Sequence, residues 1–230
     1  MTAETYFQFG CDYYQIITGY IEKFWKIITP DVTESKAAES KVLFDAIMQG
    51  MMIRIAAVDG EINHLQIDFI ESIADGGDVL EYLSVATQGD VDLSWNVLHM
   101  LKGDALDSLS NILEVCLECM IEEFVKPFVC FDAVTGKDTY EGIFKKPILG
   151  IMDSFFHVIE RPISFDEDES DKELNRLRRI LIRKIIATFK DGWDNEKEKL
   201  AKKIKKSEEP SSPSNDTKTS RFKHLKNNKR

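Results

Sequence analysis

Ala56-Ala57-Val58-Asp59-Gly60-Glu61-Ile62-Asn63-His64-Leu65-Gln66 is the stretch that decides how this chain folds. A weaker copy, Asp132-Ala133-Val134-Thr135-Gly136-Lys137-Asp138-Thr139-Tyr140-Glu141, returns 76 residues later, counted from glycine to glycine. In both, an apolar helical run meets a Gly, a capping side chain follows within three residues, and another apolar run begins. Gly60 and Gly136 stand where a helix would end in the left-handed conformation, which is cheap for glycine and costly for a residue with a Cβ. Ile62 is placed to fold back on the helix it has just left. Asn63 and Gln66 have capping-box spacing, which Asp138 and Glu141 repeat. Each stretch reads as a tight helix-to-helix corner, and two like corners suggest an internal repeat.

Working outward from the corners, the rest of the chain is also helical in period. Residues 5–28 hold eight of the 23 aromatics, and Tyr13, Ile16, Ile17, Tyr20, Ile21, Phe24, Ile27 and Ile28 recur at three- and four-residue spacing, as on one amphipathic helix. Such a stripe usually faces a core; an interfacial membrane helix or a protein-docking face is the alternative. Pro30 ends it, and Asp31-Val32-Thr33-Glu34 has the capping-box form that opens a long helix through Val58. Further helices are expected from Asn63 to about Ala74, over about 79–88, 92–101 and 105–134 (with Pro127 a point for a kink), and over about 139–160. A last one runs from Lys172 to about 190, with Leu174, Leu177, Leu181, Ile185 and Phe189 as its inward stripe, and continues more polar toward Lys206. The expected fold is all-α: a single bundle of about eight helices. It divides into an aromatic N-terminal helix (1–33), a helical domain (34–194) and a basic tail (195–230). The Pro/Ser-rich stretch Glu208 to Asp216 has too little apolar surface to offset its ordering entropy, so the tail is expected to be partly disordered.

An apolar helix ending in Ala-Val-Asp-Gly-Glu-Ile and followed by a second amphipathic helix resembles the tellurite-resistance TerB-like domain. In that family the element occurs once in each half of an all-helical domain. The resemblance covers roughly residues 34–160. In the second copy Thr135 stands where the family has Asp, and Lys137 where it has Glu. The resemblance implies a helical bundle with an acidic surface, of the kind found in proteins of metal stress, membrane-side complexes and phage defence.

The net charge of −10 is unevenly divided: residues 1–194 carry 18 Lys and Arg against 35 Asp and Glu, whereas residues 195–230 carry 12 against 5. An acidic body and a basic end face different partners. The N-terminus lacks the features of a secretory signal, and no apolar run is long enough to span a bilayer, so a soluble cytoplasmic protein is expected, with the inner membrane face as a peripheral alternative. Cys11, Cys116, Cys119 and Cys130 are then expected as thiols. Cys116-Leu117-Glu118-Cys119 lies in an apolar helical run with no second pair, which reads as core cysteine rather than as zinc or redox chemistry.

Asp59, Glu61 and Asn63 alternate like the first oxygen ligands of a calcium loop, but the match then fails, because His64 stands where Gly is required and Ile70 where the bidentate acid belongs. A divalent-cation site, if built, would draw carboxylates from both halves: Asp59, Glu61 and Asp132. That pairing follows from the repeat and the family. No nucleophile elbow, phosphate loop, zinc-helix or dinucleotide motif is present, and His64, His99 and His157 are scattered, so no catalytic residue, cofactor or small-molecule substrate is expected. Two lysine-rich clusters stand out in the tail, among them Lys202, Lys203, Lys205 and Lys206, then Arg221 and Lys223. They could hold anionic lipid or nucleic-acid phosphate, or simply solubilise the end. The expectation is a non-enzymatic interaction or sensor module with a protein partner. The alternatives are a peripheral tether working through the tail and a divalent-metal-binding protein.

Overall fold

The computed structural model describes residues 2–74, 76–87, 93–159 and 169–208, and among these it contains eight α-helices and no strand. The first, α1 (Ala3–Ile28), buries Gly10, Tyr14, Ile17, Ile21 and Phe24, while Ile16 and Ile27 on its other side stay exposed. It packs chiefly along α7 (Lys145–Ile159) and contributes to the common core. The aromatic stripe of the first helix is thus a packing face.

α2 (Thr33–Ala56) begins differently from the sequence expectation. The capping box over 31–34 does not form; instead Pro30–Val32 makes a 3-10 turn, and Thr33 Oγ1 donates to the Thr29 carbonyl at 3.0 Å. Within that turn the Val32 amide donates to the Thr29 carbonyl at 3.1 Å. From Phe44 to Ala57 every residue of the segment is buried. A helix enclosed on all sides is the centre of a bundle. Its polar side chains are used internally: Asp45 accepts from Tyr14 Oη (2.6 Å) and from the Gly76 amide (3.1 Å), and Gln49 donates to the carbonyls of Ala74 (2.6 Å) and Gly77 (2.8 Å) and accepts from the Val79 amide (2.9 Å). These bonds fix the break after α3 (His64–Ile73) and the start of α4 (Val79–Ala86). The glycines there do more than interrupt a helix, since a Cβ on Gly77 would strike the α2 backbone at Val42 and Ala46.

α5 (Trp95–Leu98) is a single turn, shorter than expected, and α6 (Asp104–Thr135) carries Pro127 within its length. α7 is preceded by a π-helical turn, Tyr140–Phe144, inside what the sequence presents as one continuous helix. α8 (Glu169–Glu208) is 40 residues long and packs chiefly on α6. Its inward face is Asn175, Arg178, Ile182, Ile185, Phe189 and Trp193, whereas Leu177 is 42% exposed and Leu181 only half-buried. The apolar stripe expected over 174–181 is therefore displaced by one residue, because two polar side chains take the inward positions. Phe24, Phe128, Phe144 and Trp193 form the aromatic centre, with ring centroids 4.4 Å (Phe24 to Phe128), 5.0 Å (Phe128 to Phe144) and 5.4 Å (Phe144 to Trp193) apart. No helix among the described residues is long and apolar enough to cross a membrane. The disorder expected beyond Ser207 falls almost wholly outside the described residues.

Candidate functional site

The first corner is built as its sequence requires. Gly60 has φ +79° and Ile62 is buried behind it. Asn63 accepts from the Gln66 amide at 3.0 Å while the Gln66 side chain accepts from the Asn63 amide at 2.8 Å, so the capping box is complete. Asp59 does not face water. Its Oδ2 accepts from Arg178 Nη2 of α8 at 2.6 Å, and Arg178 Nη1 donates to the Ile159 carbonyl at the end of α7 at 2.9 Å. The Arg178 side chain is 1% exposed and that of Asp59 10%. One guanidinium thus joins the corner, α7 and α8. The backbone of the corner is tied to the start of α6 by the Gly103 amide donating to Gly60 O (3.1 Å), and exposed Glu61 pairs with Lys102 at 3.3 Å.

The second corner shares the backbone but not the anchoring. Gly136 has φ +69°, and Asp138 Oδ1 accepts from the Glu141 amide at 3.1 Å. The expected reciprocal bond is missing, because the Glu141 carboxylate turns outward to Lys145 Nζ at 2.9 Å. This corner is held from inside: buried Asp132 accepts from the Thr139 amide (3.0 Å) and hydroxyl (2.9 Å) through Oδ2, and its Oδ1 is buried without a hydrogen-bond partner. Lys197 of α8 reaches Asp138 at 3.3 Å in a largely exposed pair. The Glu141 amide and then Lys197 hold the Asp138 carboxyl below its usual range, against an opposing effect of partial burial. Burial first, and then the carboxylates of Glu141, Asp194, Asp191 and Asp138, push the Tyr140 hydroxyl up to about 12.

α8 passes both corners, and it also measures how far apart they are. Arg178 and Lys197 are 19 residues apart, which is about 28 Å of helix. Asp59 and Glu61 therefore lie at one end of that span and Asp132 and Asp138 toward the other, and the structure does not bring Asp59, Glu61 and Asp132 together. Among the described residues no three His, Cys, Asp or Glu side chains gather in the way a metal ion would need. Between the corners, Glu114 of α6 joins Arg54 of α2 (2.8 Å) to Lys184 of α8 (2.6 Å), and these partners, Lys184 first, keep its carboxyl low.

His64 and His99 do meet, with ring centroids 4.8 Å apart beside the first corner, and His157 stacks on Tyr6 at 4.7 Å. The cysteines are free: Cys116 is half-buried and packs against the core, whereas Cys119 is exposed, which corrects the expectation of a core thiol there, and Cys130 is exposed as well. Cys116 and Cys119 also line a groove on the side of α6 that faces away from the core. Of the basic end, Lys202 pairs with Glu198 at 3.2 Å, and Lys202, Lys203, Lys205 and Lys206 lie on the fully exposed last turns of α8. Arg221 and Lys223 lie outside the described residues.

Sequence reasoning missed the groove itself. Between α4 and α6, a cleft of about 680 Å³ is lined by Tyr82, Val85, Ile112, Val115, Cys116 and Cys119, among others. Val85 is 75% and Val115 65% exposed, and because both line the same cleft they form a contiguous apolar patch rather than isolated surface residues. The cleft shares Tyr82 and Val85 with a second hollow of about 790 Å³ that presents Glu71, Asp78, Glu81 and Trp95. An apolar seat beside a cluster of carboxylates and an indole suits a segment carrying both apolar and cationic side chains. Val85 and Val115 are 30 residues apart in sequence, so only their off-register positions on two amphipathic helices could have signalled it. No family model, curated protein or solved structure matches the chain.

Proposed function

We propose that the chain is a non-enzymatic interaction module of the TerB-like kind, cytoplasmic, working in the stress-response or phage-defence setting that the resemblance implies. Its partner presents a basic segment with apolar side chains one helical turn apart. The observation that supports this reading is the α4–α6 groove, where Val85 and Val115 stand exposed beside Glu71, Asp78 and Glu81. Desolvated apolar anchors would supply the binding energy, and the carboxylates would set orientation and salt sensitivity. The test is affinity purification from the native cell of the full chain beside its Val85→Asp/Val115→Asp variant. A partner retained by the first and lost by the second, at unchanged melting temperature, is the expected result; equal retention would remove the groove from the reading.

A second reading, the peripheral tether, is favoured by the last turns of α8, where Lys202, Lys203, Lys205 and Lys206 are exposed on the far end of an acidic body. Co-sedimentation with phosphatidylserine vesicles and retention on duplex DNA, each at low and high salt, separate it from the first. Charge reversal of the four lysines abolishes binding under the tether reading and leaves partner capture unchanged under the interaction reading.

A further inference from the structure

Resting on the reading of the α4–α6 groove as a docking surface, we propose that its resting occupant is the chain's own C-terminal segment Arg221-Phe222-Lys223-His224-Leu225-Lys226. Residues 209–230 contain two large apolar side chains, Phe222 and Leu225, spaced three apart, so one helical turn places both on the same side. Around them stand Lys218, Arg221, Lys223, Lys226, Lys229 and Arg230. That is the chemistry the groove presents in complement: an apolar seat at Tyr82, Val85 and Val115, continuous with carboxylates at Glu71, Asp78 and Glu81.

The geometry permits the connection. Ile204 of α8 shares a hollow with Val129 and Ala133 of α6. Cys119 of the groove lies 14 residues back from Ala133, about 21 Å along the helix axis. From Glu208, one turn of α8 beyond Ile204 and so about 6 Å farther from the groove, Phe222 is 14 residues away, a reach of about 46 Å fully extended and roughly 21 Å as a flexible coil. The path crosses the outer side of α6 between Ala133 and Cys119, where Glu123 and Lys126 are exposed as a pair, and reaches exposed Glu118 at the groove. A tether of this length holds the segment near the groove at about millimolar effective concentration, so even an intrinsic affinity of about 0.1 mM fills it roughly nine times in ten. A partner must then displace the chain's own end, and the module is self-occluded until one does.

The groove carries its own probe in Cys116 and Cys119, with Cys130, exposed elsewhere on α6, as the internal control. Labelling of each thiol in the full chain with a bulky maleimide is followed by peptide mass spectrometry, in the unaltered protein and in Phe222→Asp/Leu225→Asp. The expected result is that Cys119 labels about tenfold faster in the variant, as nine-tenths occupancy requires. Cys130 should be unchanged, and a synthetic peptide of residues 217–230 should restore protection to the variant. Equally fast labelling in both proteins overturns self-occupancy; if the peptide still protects Cys119 when added in excess, the groove survives as a docking surface, and if it does not, the groove's preference for a basic apolar segment falls as well. Equally slow labelling in both also overturns the proposal. Protection that disappears on dilution overturns it in favour of the tail of a second copy.

Discussion

The two corners of this molecule have the same backbone turn and nearly opposite means of support. At the first, a complete capping box is joined by a buried guanidinium that binds Asp59 and the end of α7. At the second, the cap is one-sided, the helix opens with a π turn, the internal anchor is the neutral hydroxyl and amide of Thr139, and the contact with α8 is a surface lysine. Positive φ at glycine is a local property, and both copies keep it. Anchoring depends on what is packed above each corner. Thr135 in place of Asp at the second corner therefore costs nothing there, because an acid at that position would have no buried arginine to meet. A repeated motif thus marks a repeated turn, and the chemistry of each copy follows from its neighbours.

The contrast is broken most directly at Arg178. Arg178→Met should leave Asp59 uncompensated in a nearly buried position, which costs about 3–5 kcal/mol and, for a chain of this size, lowers the melting temperature by roughly 10 °C. Lys197→Met, the matching change at the second corner, should cost at most about 1 kcal/mol, because the pair is exposed. Comparable losses in calorimetry would show that the corners are supported alike. Next in size, Thr139→Val removes the hydroxyl that donates to buried Asp132 while keeping the amide bond, with an expected loss of about 1–3 kcal/mol in urea denaturation. Gly60→Ala and Gly136→Ala should then each cost about 1–2 kcal/mol and be equal within error, since a Cβ has room at both sites and only the backbone conformation is penalised. A twofold difference would mean that one turn is sustained by contacts and not by φ.

The smallest effect is a pH dependence at the second corner. Asp138 has its folded pKa lowered, so its contribution is present above the unfolded value near 3.9 and is lost as pH falls through the folded one. Between about pH 5 and pH 2 the unaltered chain should lose more stability than Asp138→Asn, as read from urea midpoints. Identical slopes would remove Asp138 from the acid response.

What could be read in advance divides along the same line. The helices, their number and the two glycine corners are written in spacing of three and four residues and in caps that act within one turn, so the sequence displays them directly. Long-range polar contacts are another matter. Arg178 looks like one more surface cation between Leu177 and Ile180, and nothing local tells it from Arg176, which is exposed and paired with Glu173. Its partner Asp59 is 119 residues away. The inward stripe of α8 was displaced for that reason: a hydrophobic pattern cannot register a polar residue that is inside. Asp45 and Gln49 escape notice in the same way, as ordinary polar punctuation in a run that proves to be buried all round. The capping box over 31–34 is replaced by a 3-10 turn begun at Pro30, in which the Thr29 carbonyl accepts from the Val32 amide and the Thr33 hydroxyl. The groove is the converse case, apolar residues left outside, visible only once α4 is set against α6.

The contact that locks the first corner also has a consequence in time. Bringing Arg178 to Asp59 from an open chain closes a loop of more than a hundred residues, an entropy cost of about 4 kcal/mol, so it forms late, after the intervening helices have shortened the gap. By the same token it should be among the first long-range contacts to release. An early opening would lift the N-terminal half of α8 as a unit and uncover Ile182, Ile185 and Phe189 while α2, enclosed at the centre, keeps its amides shielded. Hydrogen exchange should then divide the molecule into a fast latch and a slow hub, two helices of one bundle living on different clocks.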